Sequence, residues 1–156
     1  MAHWTRKRDL DRNEACRLEA LVYILFSRQI IYYQARQGLH SSFENPPGSV
    51  AWDIDIVKEM IGPRVGRMGL IETDSCAWGA KDPVSGKYYG KAFRFACTFD
   101  MQTMRRRCTK DHEHEVVQGR IREGLYKGRH RSAISGRYPL QLCQVWTSLA
   151  KGLLAW

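Results

Sequence analysis

Between Asn13 and Gln37 the chain reads NEACRLEALVYILFSRQIIYYQARQ, and Cys16, Ala20, Tyr23, Ile24, Ile31 and Ala35 recur there at the spacing of one helix face. Leu21, Val22, Leu25, Phe26, Ile30, Tyr32 and Tyr33 occupy the other faces. A helix that is apolar on most sides is stable only when it is enclosed on more than one side. The fold must therefore cover this segment, and whatever remains uncovered requires a partner. Asn13 is a suitable N-cap, and Gly38 a suitable left-handed stop. The apolar run Ala20–Phe26 is broken at Arg28 and Gln29, well short of the roughly 20 residues of a membrane span.

A chain of 156 residues with 44% hydrophobic and 26% charged side chains fits one domain with a real core. Residues 1–12 lack apolar periodicity and read as a basic arm or the outer edge of the first helix, leaving 13–156 as a single domain. Leu39–Phe43 is a candidate strand stopped by Pro46, Pro47 and Gly48. A helix is expected over Trp52–Met60, with Asp53 and Asp55 favouring its N-terminal end. MGLIETD, ending at Asp74, and AFRFACTF read as strands, Met101–Arg107 as a short helix, and YPLQLCQVWTSLAKGLLAW as a closing helix. Residues 119–137 read as an extended, Gly- and Arg-rich basic loop. Strands separated by helices imply an α/β class with a mixed or parallel sheet. Trp52, Trp78 and Trp146 are expected in the core.

The formal charge of +9 attracts polyanions. Five cysteines without regular spacing, behind an N-terminal segment that reads as no secretory leader, fit reduced thiols in an intracellular compartment, nuclear or organellar included. No nucleophile elbow and no phosphate loop is visible, so hydrolase and nucleotide-hydrolase readings find no support.

Glu44, Asn45 and Pro46 close the first strand. Ligands of open α/β sheets gather outside the carboxyl ends of strands, so Glu44 and Asn45 are either ligand-facing or plain turn caps. Followed by GLIETDSCAWG and KAFRFACTF, this segment resembles the later half of the catalytic domain of cytosine-5 DNA methyltransferases. Glu44 and Asn45 match that family's Glu-Asn-Val element with Pro46 in place of valine, Trp78 and Gly79 stand near its Tyr-Gly turn, and Arg94 matches the last arginine of its Gln-x-Arg-x-Arg signature. The chain resembles more closely an uncharacterised methyltransferase-like domain of protist and fungal mobile-element polyproteins. It shares with that domain Glu44, Asn45, Pro46, Ser49, Trp52, Asp74, Cys76, Gly79, Lys91, Arg94, Phe95, Cys108, His112, His114, Tyr138 and Pro139, over roughly 34–146.

The resemblance implies a partial Rossmann-like methyltransferase sheet, mixed parallel and antiparallel, flanked by helices, the basic loop and a C-terminal helix. It implies that Glu44 would hold a flipped cytosine by its Watson–Crick edge and that Arg94 would steady phosphate or the reacting group. The departures are larger than the matches. The Phe-x-Gly-x-Gly cradle for S-adenosylmethionine and the Pro-Cys nucleophile turn are not found, Ala92 replaces the middle arginine, and the glutamine before it is missing. S-adenosylmethionine is accordingly not expected on this chain alone. The leading expectation is a non-catalytic methyltransferase-like protein that binds nucleic acid or docks in a larger assembly, ribonucleoproteins included. The alternatives are the base-contacting subunit of a split S-adenosylmethionine-dependent cytosine-5 DNA methyltransferase, and a purely structural subunit. Each requires a protein partner or a homo-oligomer over the helix 13–37 and the open sheet edge.

One stretch, RRRCTKDHEHEVVQGR, supplies Cys108, His112 and His114, and Cys76 or, as a substitute, Cys97 would complete four thiol and imidazole ligands for a structural zinc. Against this, the spacing is not that of a standard finger, and histidines two apart diverge on a strand. A polar turn with Asp111 and Glu113 is the competing reading. Arg105, Arg106 and Arg107 suit the negative end of a short helix or a phosphate, and Arg120, Arg122, Lys127, Arg129, Arg131 and Arg137, with Tyr126 among them, suit a phosphodiester chain of either DNA or RNA.

Overall fold

The computed structural model of the protein describes residues 7–65 and 67–154. The expected basic arm lies outside these residues up to position 6. From Lys7 the chain is already helical, so Asn13 falls inside the helix and not at its N-cap position. Helix α1 spans Lys7–Arg36. It ends as expected: Gly38 takes φ 67°, and the Leu39 N–H returns 2.8 Å to the Gln34 carbonyl.

Strand β1 is Ser42–Asn45, later than the expected 39–43. The turn out of α1 occupies Leu39–Ser41. The buried Ser41 hydroxyl donates to Gln34 at 2.6 Å, and the Ser41 N–H donates to Thr98 at 2.8 Å. The expected helix over 52–60 is two pieces, a 3-10 turn at Val50–Asp53 and helix α2 at Asp55–Ile61. Ile54, extended at ψ 129°, separates them. This break lets the buried Trp52 indole N–H reach the Pro46 carbonyl at 2.8 Å, while Ser49 caps the turn.

Strands β2 (Gly69–Asp74) and β4 (Ala92–Cys97) fall where alternation placed them. Two short strands, β3 (Tyr88–Tyr89) and β5 (His114–Glu115), were not legible in the sequence. The central sheet has the order β1-β4-β2 with β4 antiparallel to both neighbours, so β1 and β2 run parallel to one another. β3 and β5 form a separate parallel pair. The class is mixed α/β.

The short helix expected over 101–107 is only a 3-10 turn, Gln102–Met104. Asp100 caps its first N–H, and beyond it Arg106 is captured by the edge of β2: the Asp74 N–H donates to the Arg106 carbonyl at 2.8 Å. Arg105–Arg107 therefore end no helix. The 119–137 segment is folded rather than extended, since Ile121 is buried and exchanges backbone hydrogen bonds with Gly128 and Arg129, and Arg131–Ile134 form a short helix, α3. Helix α4 spans Leu140–Leu154.

Side chains alternate across β4, and this divides the core in two. Phe93, Phe95 and Cys97, with Ile71 from β2, pack under Leu142, Val145, Trp146 and Leu149 of α4. Ala96, with Phe43 from β1, faces Ile24 and Ile31 of α1, Val57 and Met60 of α2, and Trp52. The three tryptophans expected in the core contribute to it: Trp52 and Trp78 are buried and Trp146 partly so. Among the described residues no helix is long and apolar enough to cross a membrane.

Candidate metal centre

Cys76 is presented by the 3-10 turn Ser75–Trp78 that follows β2. Three contacts hold that turn: the Ser75 hydroxyl donates to the Tyr89 carbonyl at 3.0 Å, the Trp78 indole to Thr73 at 2.6 Å, and the Gly79 N–H at φ 79° to the Cys76 carbonyl at 2.9 Å. Cys108 arrives from the segment laid along β2, its N–H fixed at 2.8 Å by the Asp74 carboxylate, which also meets Arg107 at 3.3 Å.

Only one of the two histidines belongs to a strand. His114 lies in β5 and His112 in the turn before it, so the divergence expected of alternating residues does not arise. Their rings stand 4.8 Å apart at 77°. Cys108 Sγ lies 3.7 Å from His112 Nε2 and 3.5 Å from His114 Nε2. One ligand atom from each of Cys76, Cys108, His112 and His114 lies within 4.8 Å of all the others. With zinc–sulfur and zinc–nitrogen bonds of about 2.3 and 2.05 Å, the sulfur-to-nitrogen edge of a tetrahedron is about 3.6 Å. The two measured separations straddle that value, so this Cys2His2-type cluster can hold a metal ion.

Supporting groups surround the cluster. Asp111 meets His112 Nδ1 at 2.8 Å, which turns the opposite nitrogen toward Cys108. Hydrogen bonds from Thr109 and from His112 hold the Asp111 carboxyl below its ordinary range. The Lys110 N–H, at the left-handed φ 62°, donates to Cys108 Sγ at 3.2 Å. Gly90 leaves room for His114, because a Cβ there would stand 3.2 Å from the histidine's own. Burial, and then the Cys108 thiol beside it, push the Cys76 thiol up to about 11. Cys97, the substitute ligand, is instead buried beneath α4.

A buried ionic knot adjoins the cluster, and sequence reasoning missed it. Asp82 accepts from the N–H groups of Val84 and Ser85 at 2.9 and 2.8 Å, from the Tyr89 hydroxyl at 3.1 Å and from Arg131 at 2.6 Å. Burial opposes ionisation of Asp82, but these donors outweigh it and hold its carboxyl below the ordinary value. Burial, with the Asp82 charge, pushes the Tyr89 phenol up to about 12. Arg131 also reaches Glu115, the neighbour of His114, at 3.2 Å. In DPVSG the letters announce a turn at Asp82, but nothing local announces a charge partner 49 residues away.

The basic side chains divide into two groups. Arg107 is engaged by Glu72 and Asp74, Arg131 by Asp82 and Glu115, and Arg120 by the Gly128 carbonyl. Arg106 lies 4.0 Å above the Trp78 ring, its edge free for another acceptor. Arg105, Arg122, Lys127, Arg129 and Arg137 are exposed.

Glu44, Asn45 and Arg94 do not converge on one site. Glu44 pairs in register with Phe95 and so points to the α4 side, where it accepts from the Tyr138 hydroxyl at 2.7 Å. Arg94, one residue away, points to the other face with Asn45, forks onto Glu72 at 2.6 and 2.8 Å and lies 5.4 Å from the Trp52 ring. Comparison of the chain with protein-family models, curated proteins and solved structures gives no match.

Proposed function

We propose that the protein is a non-catalytic, methyltransferase-like α/β protein that binds nucleic acid through a basic surface organised by a structural zinc ion. The observation that carries this reading is the set of cations at 105–137 that make no ion pair among the described residues (Arg105, Arg106, Lys110, Arg120, Arg122, Lys127, Arg129 and Arg137), carried on the segment that bears Cys108, His112 and His114 and on the following segment that Arg131 ties to Asp82 and Glu115. Two thiols and two imidazoles are a ligand set that suits zinc over harder ions. All four positions are protein side chains, which is the closed arrangement of a structural site. When bound, zinc supplies a crosslink between β2, the 105–108 segment and β5.

The methyltransferase resemblance rests on the ordered motifs from Glu44 to Pro139. In the sheet, β1 and β2 are connected through α2 and run in the same direction, each paired antiparallel with β4 between them. The non-catalytic part is supported by Glu44 and Arg94, which lie on opposite faces and cannot grip one base together. The same reading includes a protein partner over the apolar face of α1.

The test is anisotropy of labelled single-stranded RNA and duplex DNA, the two arms separating the sources of phosphodiester. Binding is expected to weaken with salt at a log–log slope of about −0.7 to −0.9 per phosphate contact. Replacing Arg122, Lys127, Arg129 and Arg137 by Ala should lower affinity roughly tenfold or more at low salt. No binding of either polymer at low salt overturns the nucleic-acid reading. Metal analysis after purification without chelator should find about one zinc per chain; under half an equivalent overturns the zinc reading.

A further inference from the structure

The solvent face of α1 carries large apolar side chains in a regular order. Tyr23, Phe26, Ile30 and Tyr33 follow one another at spacings of three, four and three residues and are 64, 63, 42 and 63% exposed. Val22, beside them, is 64% exposed. The opposite side of the helix, with Ile24 and Ile31, is already committed to the sheet and α2. Alternating spacings of three and four are the seam of a helix pair, in which each residue inserts between four of a facing helix. A surface of this kind on an otherwise charged protein marks an interaction site.

From this seam we infer that the protein forms a homodimer in which α1 packs antiparallel against α1 of a second copy. The orientation follows from charge. Extended by one step toward the N-terminus, the seam reaches Glu19, and toward the C-terminus it reaches Gln37, with Arg36 beside it. In a parallel pair Glu19 would face Glu19 inside an apolar seam, a like-charge contact with loss of hydration. In an antiparallel pair with Tyr23 against Tyr33 and Phe26 against Ile30, Glu19 stands level with Gln37 and Arg36 of the second copy. Glu19 and Arg36 make no ion pair among the described residues, so both are available. The same patch meets itself across a two-fold axis, which closes the assembly at two chains. The groove between α1, β1 and the 3-10 turn, bordered by Leu18, Tyr23, Phe43, Val50 and Ile54, opens beside this seam, and Tyr33 of the second copy would lie at its mouth.

The experiment is sedimentation velocity on nuclease-treated, metal-replete full chain from about 1 to about 100 µM. A dimer mass is expected within this range, and monomer throughout overturns the proposal. Phe26→Glu should raise the dimer dissociation constant at least about tenfold. Phe26 is exposed, so its thermal midpoint should stay that of the parent; a weakened dimer with an unfolded chain would overturn the assignment of the seam. Glu19→Arg should weaken the dimer, and adding Arg36→Glu should restore it. In a Cys16→Ser background, Tyr23→Cys chains should oxidise onto Tyr33→Cys chains and not onto themselves; like-with-like crosslinking overturns the antiparallel order. No nucleic acid enters this readout, so failure here and failure of the nucleic-acid reading are separate results.

Discussion

The sheet with its helices and the segments 75–90 and 105–137 hold together by different physics. In the first, Phe93, Phe95, Met60, Val57 and Leu142 are fully buried, and removal of apolar surface from water at about 25 cal/mol per Å² is sufficient cause for the fold. In the second, fully buried apolar side chains beyond the rim of the sheet core are few, with Ile121 the clearest case. Its order rests on Asp82 with Arg131 and on backbone hydrogen bonds among turns, and it carries the Cys2His2-type cluster that can hold a metal ion. A region without its own core needs crosslinks, as small metal-bound domains do. The charged surface that makes the chain basic sits on the region that apolar burial supports least.

The largest expected effect separates the two regions. Chelation of the metal, or Cys108→Ser with His114→Ala, should abolish amide-exchange protection across about 106–131 and leave β1, β4 and β2 protected. Loss of protection in both regions together would show that they are one cooperative unit. Next, Phe95→Ala should cost about 3–5 kcal/mol in urea unfolding, and both regions should fall together because the second has no scaffold without the sheet. A cost under 1 kcal/mol would contradict the packing beneath α4.

Breaking the ionic knot should act chiefly on the second region. Asp82→Asn leaves Arg131 without its buried partner, at a cost of about 3 kcal/mol, read as lost protection in 119–134. The same group sets a pH dependence. The folded-state pKa of Asp82 lies below its unfolded value of about 3.9, so the unfolded chain binds the proton first. Its contribution is complete above that value and is lost as pH falls through the lower, folded pKa. Acid unfolding of the parent below about pH 4 should be steeper than that of Asp82→Asn. Equal slopes would remove Asp82 as the cause. The smallest effect lies at the end of α1. Gly38→Ala meets no steric obstacle but keeps φ 67°, so it should cost about 1 kcal/mol and touch only the first region.

Legibility followed the range of the interactions. Helix α1 and its Gly38 stop, β2, β4 and the closing helix were readable because period and capping are local properties. The break at Ile54, the shift of β1 and the capture of Arg106 by β2 were not, because Trp52 with Pro46, Ser41 with Thr98 and Asp74 with Arg106 are tertiary bonds. Four ligand residues were named from their chemistry, and the structure gathers those four and leaves Cys97 apart. Glu44 and Arg94 were grouped by motif, but strand alternation sends neighbours in register to opposite faces.

The letters alone determined that this chain carries a long helix with apolar side chains on most of its faces, a strongly basic second half, and soft metal ligands clustered near 108–114. Which ligands meet, which cations stay unpaired and which face of α1 remains open were decided only by the tertiary structure. The reason is that each depends on a register or a contact between segments tens of residues apart. Composition and local period carry no information about such pairings.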